Sequence, residues 1–171
     1  DLRSFEVLIS DFGNLYMARE IPGINIQYKD FSEWQNSEEQ KKTIKKQEEY
    51  WLENLSGELP LLNLPLDFPR PAVQDFEGDR VEFKLSIRES QQLRGILLKE
   101  NVTLFIALLS IYNLLLSAIT GQDDILVGIF FLNHRHEDLR QVIGMFVNLL
   151  VCRNFIDKED TYSQFLDKVK R

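Results

Sequence analysis

His134 and His136 are the only imidazoles in this chain, and a His-x-His pair on a strand is a spacing that can hold zinc. Here Arg135 separates them within NHRHEDLRQ, a polar stretch that reads as a loop, and no Cys-x-x-Cys or His-Glu-x-x-His accompanies them. The reading taken is therefore a surface loop, with no metal site. Asp123 and Asp124 are adjacent carboxylates that acid/base chemistry could use, yet neighbours in sequence need not face one site, and Gly-Gln-Asp-Asp is good turn sequence. Cys152, the single cysteine, lies in an apolar run without an activating neighbour, which is the setting of an inert thiol. Asn148 also sits among apolar residues, and an amide there must find hydrogen-bond partners or cost a few kcal/mol if buried. No Walker loop and no Gly-x-Gly-x-x-Gly fingerprint occurs.

The elements that would position these residues are organised around Thr103 to Thr120, TLFIALLSIYNLLLSAIT, which is apolar on every side and so belongs in an interior. Thr103 offers an N-cap and Gly121 a left-handed stop, and ILVGIFFL then reads as a strand covered on both faces. That pairing predicts a layered α/β (α+β) domain rather than a membrane span. Upstream, Phe5, Leu8, Ile9, Phe12, Leu15 and Tyr16 follow one helical face, a core-facing helix over 4–18. Tyr28, Phe31 and Trp34 share a helical stripe, read as packing. Ser37 with Gln40 begins a charged helix that turns Ile44, Trp51 and Leu55 inward and presents a solvated mixed-charge face.

Four of the five prolines lie between Leu59 and Gly78, too many for regular structure, which makes that stretch the best boundary between two units. Beyond it Val81, Phe83, Leu85 and Ile87 alternate with polar residues, the pattern of a strand with one wet face. Ser86 with Glu89 forms a capping box for a helix to about Lys99. A turn at Gly144, a β-rich run from Phe146 and a helix over 163–171 complete the chain.

With 171 residues, 44% hydrophobic, the chain can bury a core the size of one domain, which argues against disorder. A net charge of -7 is the wrong sign for a nucleic-acid or anionic-membrane surface. One cysteine and no visible signal peptide make the cytoplasm the default compartment. The chain opens at Asp1 without a methionine, with a helix already under way, and closes inside a predicted helix at Arg171. Both ends look cut, and a piece of a larger protein is the expectation.

Four stretches resemble the condensation domains of non-ribosomal peptide synthetases. QYKDFSEWQ at 27–35 is similar to the family's Tyr-x-Asp-Tyr/Phe-x-x-Trp motif, and IGMFVNLLVCR at 143–153 to its Ile-Gly-x-Phe-Val-Asn-Thr motif, with Leu149 in place of the threonine. LPLDFPRPAVQDFEGDRV at 64–81 resembles the segment joining the family's two lobes, and 103–128 the start of the second lobe. The family's His-His-x-x-x-Asp-Gly signature would fall just ahead of residue 1. Asp1 matches its aspartate and Ser4 fits the residues usual after it, whereas Leu2 stands where glycine is expected.

The resemblance implies a fold of two lobes, each like chloramphenicol acetyltransferase, with a tunnel between them. Residues 1–58 would be the C-terminal part of the first lobe, 59–78 the proline-rich crossover, and 79–171 the first part of the second lobe. It implies peptide-bond formation between aminoacyl and peptidyl thioesters carried on the phosphopantetheine of carrier domains, with no cofactor or metal bound by this stretch itself. The implied partners are the peptidyl carrier and adenylation domains of the same synthetase. An upstream histidine would orient or deprotonate the acceptor amine. Asp1 would be structural, ion-paired to an arginine beyond the chain; Asn148 would stand near the tunnel; Tyr28, Trp34, Gly144 and Phe146 would be structural motif residues. An inactive module that only binds carrier domains is the alternative that Leu2 keeps open. A heterocyclisation relative would suit Asp1 with Ser4, but Phe146-Val147-Asn148 argues against it.

Overall fold

The computed structural model describes every residue except 22 and 133–135. Contacts divide the chain into two compact units, Asp1–Leu59 with Gly128–Cys152, and Pro60–Val127 with Arg153–Arg171. The division follows packing rather than chain order, since 128–152 groups with residues on the other side of the proline-rich stretch.

In the first unit α1 (Leu2–Tyr16) starts at Asp1, whose carboxylate caps the backbone N–H of Ser4. Only Ser4 and Val7 of this helix are buried. The predicted core face carrying Phe5, Leu8, Ile9, Phe12, Leu15 and Tyr16 is exposed, a correction with a simple cause: amphipathic spacing says which face needs cover, not whether a neighbour supplies it. α2 (Tyr28–Gln35) begins where the Asp30 carboxylate accepts from the Gln27 N–H at 2.8 Å. α3 (Glu38–Asn54) begins at Ser37, whose hydroxyl accepts from the Gln40 N–H, with Glu38 and Glu39 favouring the positive end of the helix dipole. No residue of α3 is buried, and Ile44, expected to face inward, is half-exposed. The core of this unit is Phe31, Leu139, Val142 and Phe146, with Ile26 against it; Leu139 comes from a short 3-10 helix, Glu137–Gln141.

In the second unit α4 (Ile87–Glu100) starts at the predicted capping box, with Ser86 and Glu89 satisfying each other's backbone N–H. α5 (Leu104–Thr120) runs from the Thr103 cap to Gly121, whose positive φ of 72° ends it as expected. The prediction that this helix would be almost fully buried is corrected. Ala107, Ser110, Asn113, Leu116 and Ser117 are covered, while Leu104, Phe105, Leu108, Ile111, Tyr112, Leu115 and Ile119 stay about half-exposed. α6 (Tyr162–Lys170) packs on α5, and the Ser110 hydroxyl lies 3.0 Å from the Tyr162 hydroxyl. Small and polar residues thus mark much of the covered face, with Leu109 and Leu116 beside them, and they allow close approach; the other large apolar residues find no comparable neighbour among the described residues.

The predicted strand over 81–87 does not form. Val81 and Phe83 are almost wholly exposed, and Ile87 already belongs to α4. Alternation makes a strand possible, but a strand exists only when another pairs with it. Among the described residues the sheet has two strands, β1 (Asp124–Leu132) and β2 (Val147–Phe155). Asp123 C=O accepts from Ile156 N–H at 2.7 Å, so the start of one strand lies beside the end of the other and the pair is antiparallel. Residues 59–78 hold no helix or strand, as their prolines dictate. The Gln122 side chain anchors part of that run instead, accepting from Asn63 N–H and donating to Leu61 C=O at 2.8 and 2.9 Å. No single helix among the described residues is long and apolar enough to cross a membrane.

Candidate functional site

The first unit draws three distant stretches together around the loop that leads into β2. Asp1 uses one carboxylate oxygen on the first turn of α1, accepting from the Ser4 N–H at 2.9 Å and lying 3.1 Å from the Ser4 hydroxyl oxygen. Its other oxygen accepts from the Phe146 N–H at 2.9 Å, across 145 residues of sequence. A capping aspartate normally satisfies only its own helix. Here it also takes up a backbone donor of the loop.

Ser4 continues the junction. Its hydroxyl donates to the Gly144 carbonyl at 2.6 Å and lies 2.9 Å from the Gly144 N–H, so one buried side chain meets both polar groups of one residue. Tyr28, at the start of α2, lays its ring on the same glycine and donates its hydroxyl to the Met145 carbonyl at 3.0 Å. The contact is so close that a Cβ on Gly144 would stand 2.0 Å from the ring. Gly144 is therefore required for close approach rather than for an unusual φ, since its φ is not positive.

Aromatic contacts hold the rest. Tyr28 meets Phe146 edge-on with centroids 5.3 Å apart, Phe31 lies 4.9 Å from Phe146, and Trp34 is 5.9 Å from Phe31. Such pairs add roughly 0.5–1.5 kcal/mol each beyond the area they bury. Beside them Ile26, Phe31, Trp34 and Leu139 line an apolar cavity of about 290 Å³, with Asp30 and His136 among its walls.

The structure thus brings Asp1, Tyr28, Gly144 and Phe146 together, with Trp34 at the outer end of the aromatic row, half-exposed. Asn148 is not part of the cluster. It lies on β2 with its side chain exposed, so the premise that its amide is buried among apolar groups is corrected: its neighbour Leu149 is exposed as well, and this stretch of the strand lacks cover among the described residues. Leu2, the departure from the expected glycine, sits in regular helix with its side chain 76% exposed, and the backbone there does not need glycine.

The remaining candidates have ordinary roles. His134 lies outside the described residues; His136 is exposed, with its Nδ1 3.3 Å from an Asp138 carboxylate oxygen. Among the described residues no group of three or more His, Cys, Asp or Glu could hold a metal ion. Burial pushes the Cys152 thiol up, away from the reactive thiolate.

In the second unit Asp124 is engaged by Arg153, whose Nη2 and Nε donate to its carboxylate at 2.7 to 3.3 Å. Arg153 is 9% exposed, and the Asp124 hydrogen bonds raise its pKa, while its guanidinium lies 4.9 Å from the Phe155 ring. A carboxylate held by a bidentate cation is a strand-to-strand tie rather than a proton carrier. Asp123 lies 3.4 Å from Lys158 at the surface.

Sequence reading missed the Ser4 clamp and the Asp124–Arg153 tie. The first had a signal, because Asp-x-x-Ser at a helix start is a capping pattern, but the second partner of each side chain came from residues far along the chain. The second had none, since it depends on the register of β1 against β2.

A family model described as "Condensation domain" matches residues 1–171. The chain belongs to the condensation-domain family. It is 44% identical over 170 residues to surfactin synthase subunit 1 of Bacillus subtilis (strain 168), covering 99% of this chain and 5% of that protein. It is 41% identical over 168 residues to gramicidin S synthase 2 of Brevibacillus brevis, covering 98% and 4%. The chain therefore spans about one-twentieth of the length of these curated relatives.

Among solved structures, a four-domain nonribosomal peptide synthetase bound to AMP and glycine matches with a TM-score of 0.82 at 25% identity, covering 99% of this chain and 13% of that one. The X-domain from teicoplanin biosynthesis matches with a TM-score of 0.82 at 20% identity, covering 99% and 40%, which shows the shared fold. The mixed helix and strand seen here is thus a partial condensation-type fold, and the resemblance carried by 27–35 and 143–153 is one of true membership.

Proposed function

We propose that this chain is the central part of a condensation domain that joins aminoacyl and peptidyl thioesters held by carrier domains of a peptide synthetase. Forming peptide bonds is the function of its family in relatives such as the gramicidin and surfactin synthases. The observation that carries the reading to this chain is the junction at Gly144: Asp1, the Tyr28 motif and the Phe146 motif meet there through named hydrogen bonds and ring contacts. Three stretches that share a family's sequence pattern also share one place in space.

In the proposed reaction the acceptor amine attacks the donor thioester carbonyl. A C–N bond forms and the C–S bond breaks; the amine proton leaves with a base and the sulfur departs as the carrier's thiol once reprotonated. The base would be a histidine ahead of Asp1. Within this chain Asp1 would be structural, holding the first turn of α1 to the loop before β2, and Tyr28, Trp34, Gly144 and Phe146 would brace that loop. No cofactor is assigned to the chain; the phosphopantetheine arms would belong to the carriers, and the carrier and adenylation domains of the same cytoplasmic synthetase would be the partners. The residues 1–58, 59–78 and 79–171 would serve as end of one lobe, crossover and start of the other.

A carrier-binding module without activity is the second reading, motivated by Leu2. The helical backbone at Leu2 counts against it, because the substitution disturbs no turn there. The test is to read the residues ahead of Asp1 in the parent synthetase and assay it with loaded donor and acceptor carriers. Paired histidines and a dipeptidyl thioester are expected. Carrier binding with no product would favour the inactive module.

A further inference from the structure

Ser4 has no role in the proposed reaction, yet its side chain makes three polar contacts in the junction, as many as Asp1 does. It is 7% exposed, and its one oxygen meets the Asp1 carboxylate, the Gly144 carbonyl and the Gly144 N–H. A residue this buried on an amphipathic helix would ordinarily be apolar, and an alanine or valine would fill the space. What an apolar side chain cannot do is fix the orientation of a peptide group, because dispersion contacts have no direction while a hydrogen bond weakens steeply off its axis.

By holding both the N–H and the C=O of Gly144, the hydroxyl sets both the position and the rotation of that residue against the first turn of α1. Asp1 then fixes Phe146 from the same turn, and Tyr28 fixes Met145 between them from α2. Three successive residues, Gly144, Met145 and Phe146, each have a backbone group bound by a side chain from elsewhere in the unit. Loops are usually held at their ends; this one is held along its length.

We propose that Ser4 is a positioning residue of the condensation site, one that locks the 144–146 loop to the Asp1 end of α1 and so fixes the distance between the segment ahead of Asp1 and the strand that follows Phe146. This role rests on the condensation function proposed for the chain. It assigns Ser4 no contact with substrate: the hydroxyl acts through Gly144, and its loss lets the loop rotate. A misplacement of about 1 Å between reacting groups can slow a reaction on the order of 100-fold while binding is little changed.

The experiment compares Ser4→Ala, Ser4→Cys and Ser4→Thr in the full-length synthetase, with Val7→Ala as a stability control on the same helix. Single-turnover dipeptidyl thioester formation from loaded carriers gives the chemical rate, its dependence on acceptor carrier gives KM, and deuterium uptake of a peptide spanning 141–149 reports the Gly144 and Phe146 amides. Ser4→Ala and Ser4→Cys are expected to lower the chemical rate roughly 10- to 100-fold with KM changed less than about twofold, and to speed uptake in that peptide. Ser4→Thr, which keeps the hydroxyl, is expected to recover most of both, and Val7→Ala to leave the rate near wild type at temperatures well below its melting.

Near wild-type rate and uptake in Ser4→Ala, or a rate loss in Val7→Ala equal to that in Ser4→Ala, would overturn the proposal. A wild-type synthetase that makes no product would instead overturn the functional reading, and this role with it. The two failures are distinct, because in the first the wild type is active.

Discussion

Replacing Gly144 with alanine puts a methyl group where the Tyr28 ring already is. The added carbon would lie 2.0 Å from Cδ2 and 2.6 Å from Cγ and Cε2 of Tyr28, well inside van der Waals contact. Two responses are open. If the ring stays, the loop is overpacked, at a cost of about 1–3 kcal/mol. If the ring swings away, it gives up the hydrogen bond to Met145, worth about 0.5–1.5 kcal/mol, and the edge contact with Phe146, worth about as much. Tyr28 is 37% exposed and has room to move outward, so the second response sets the ceiling, and Gly144→Ala is expected to destabilise the domain by about 1 to 3 kcal/mol.

The cause can be isolated with a double-mutant cycle in urea denaturation of the condensation domain. With Tyr28→Ala in place the methyl has space, and because Gly144 does not occupy a positive φ the same substitution should then cost no more than about 0.5 kcal/mol. Additive effects, or a Gly144→Ala protein as stable as wild type, would show that the ring and the glycine are not packed as described.

Other perturbations separate the remaining parts of the account. Arg153→Met alone should lower the melting temperature more than Arg153→Met combined with Asp124→Leu, because the single change strands a partly buried carboxylate, and differential scanning fluorimetry will rank them. Glu89 is held below its ordinary range by the Ser86 hydroxyl and then by the Ser86 N–H, so its contribution to the α4 cap is present above the unfolded carboxylate pKa and lost as pH falls through the lower folded value. The protection of the 87–90 amides relative to their intrinsic exchange rates should therefore fall on acidification through the carboxylate range, and Glu89→Gln should remove that dependence. Asn148→Ala should change stability by less than about 0.5 kcal/mol, since the side chain is exposed, so a fall in turnover without a fall in melting temperature would mark Asn148 as a contact made to substrate or to the rest of the domain.

Local chemistry was the legible part of this sequence. Thr103, Gly121, Ser86 and Glu89 announced the ends of α5 and α4 because capping is decided by the residue and its immediate neighbours. The aromatic stripe of Tyr28, Phe31 and Trp34 was legible for the same reason. What failed depended on partners. The apolar faces of α1 and α5 and the alternating run over 81–87 state a demand for cover, and among the described residues most of it goes unmet. Of the site, the motif resemblance pointed to Asp1, Tyr28, Gly144 and Phe146, but not to the reason they belong together. Ser4 is a small hydroxyl in a helix, and only the fold reveals that it binds a residue 140 positions away.

In the function proposed above, this chain would supply the bracing part of a condensation site whose proton-handling residue lies outside it. The most direct measurement gives the 171-residue chain and its full-length parent the same aminoacyl-loaded donor and acceptor carrier proteins and follows dipeptidyl thioester over time. The parent is expected to form product and the isolated chain none above the uncatalysed rate. Product from the isolated chain, or none from a parent that still binds both carriers, would contradict the account.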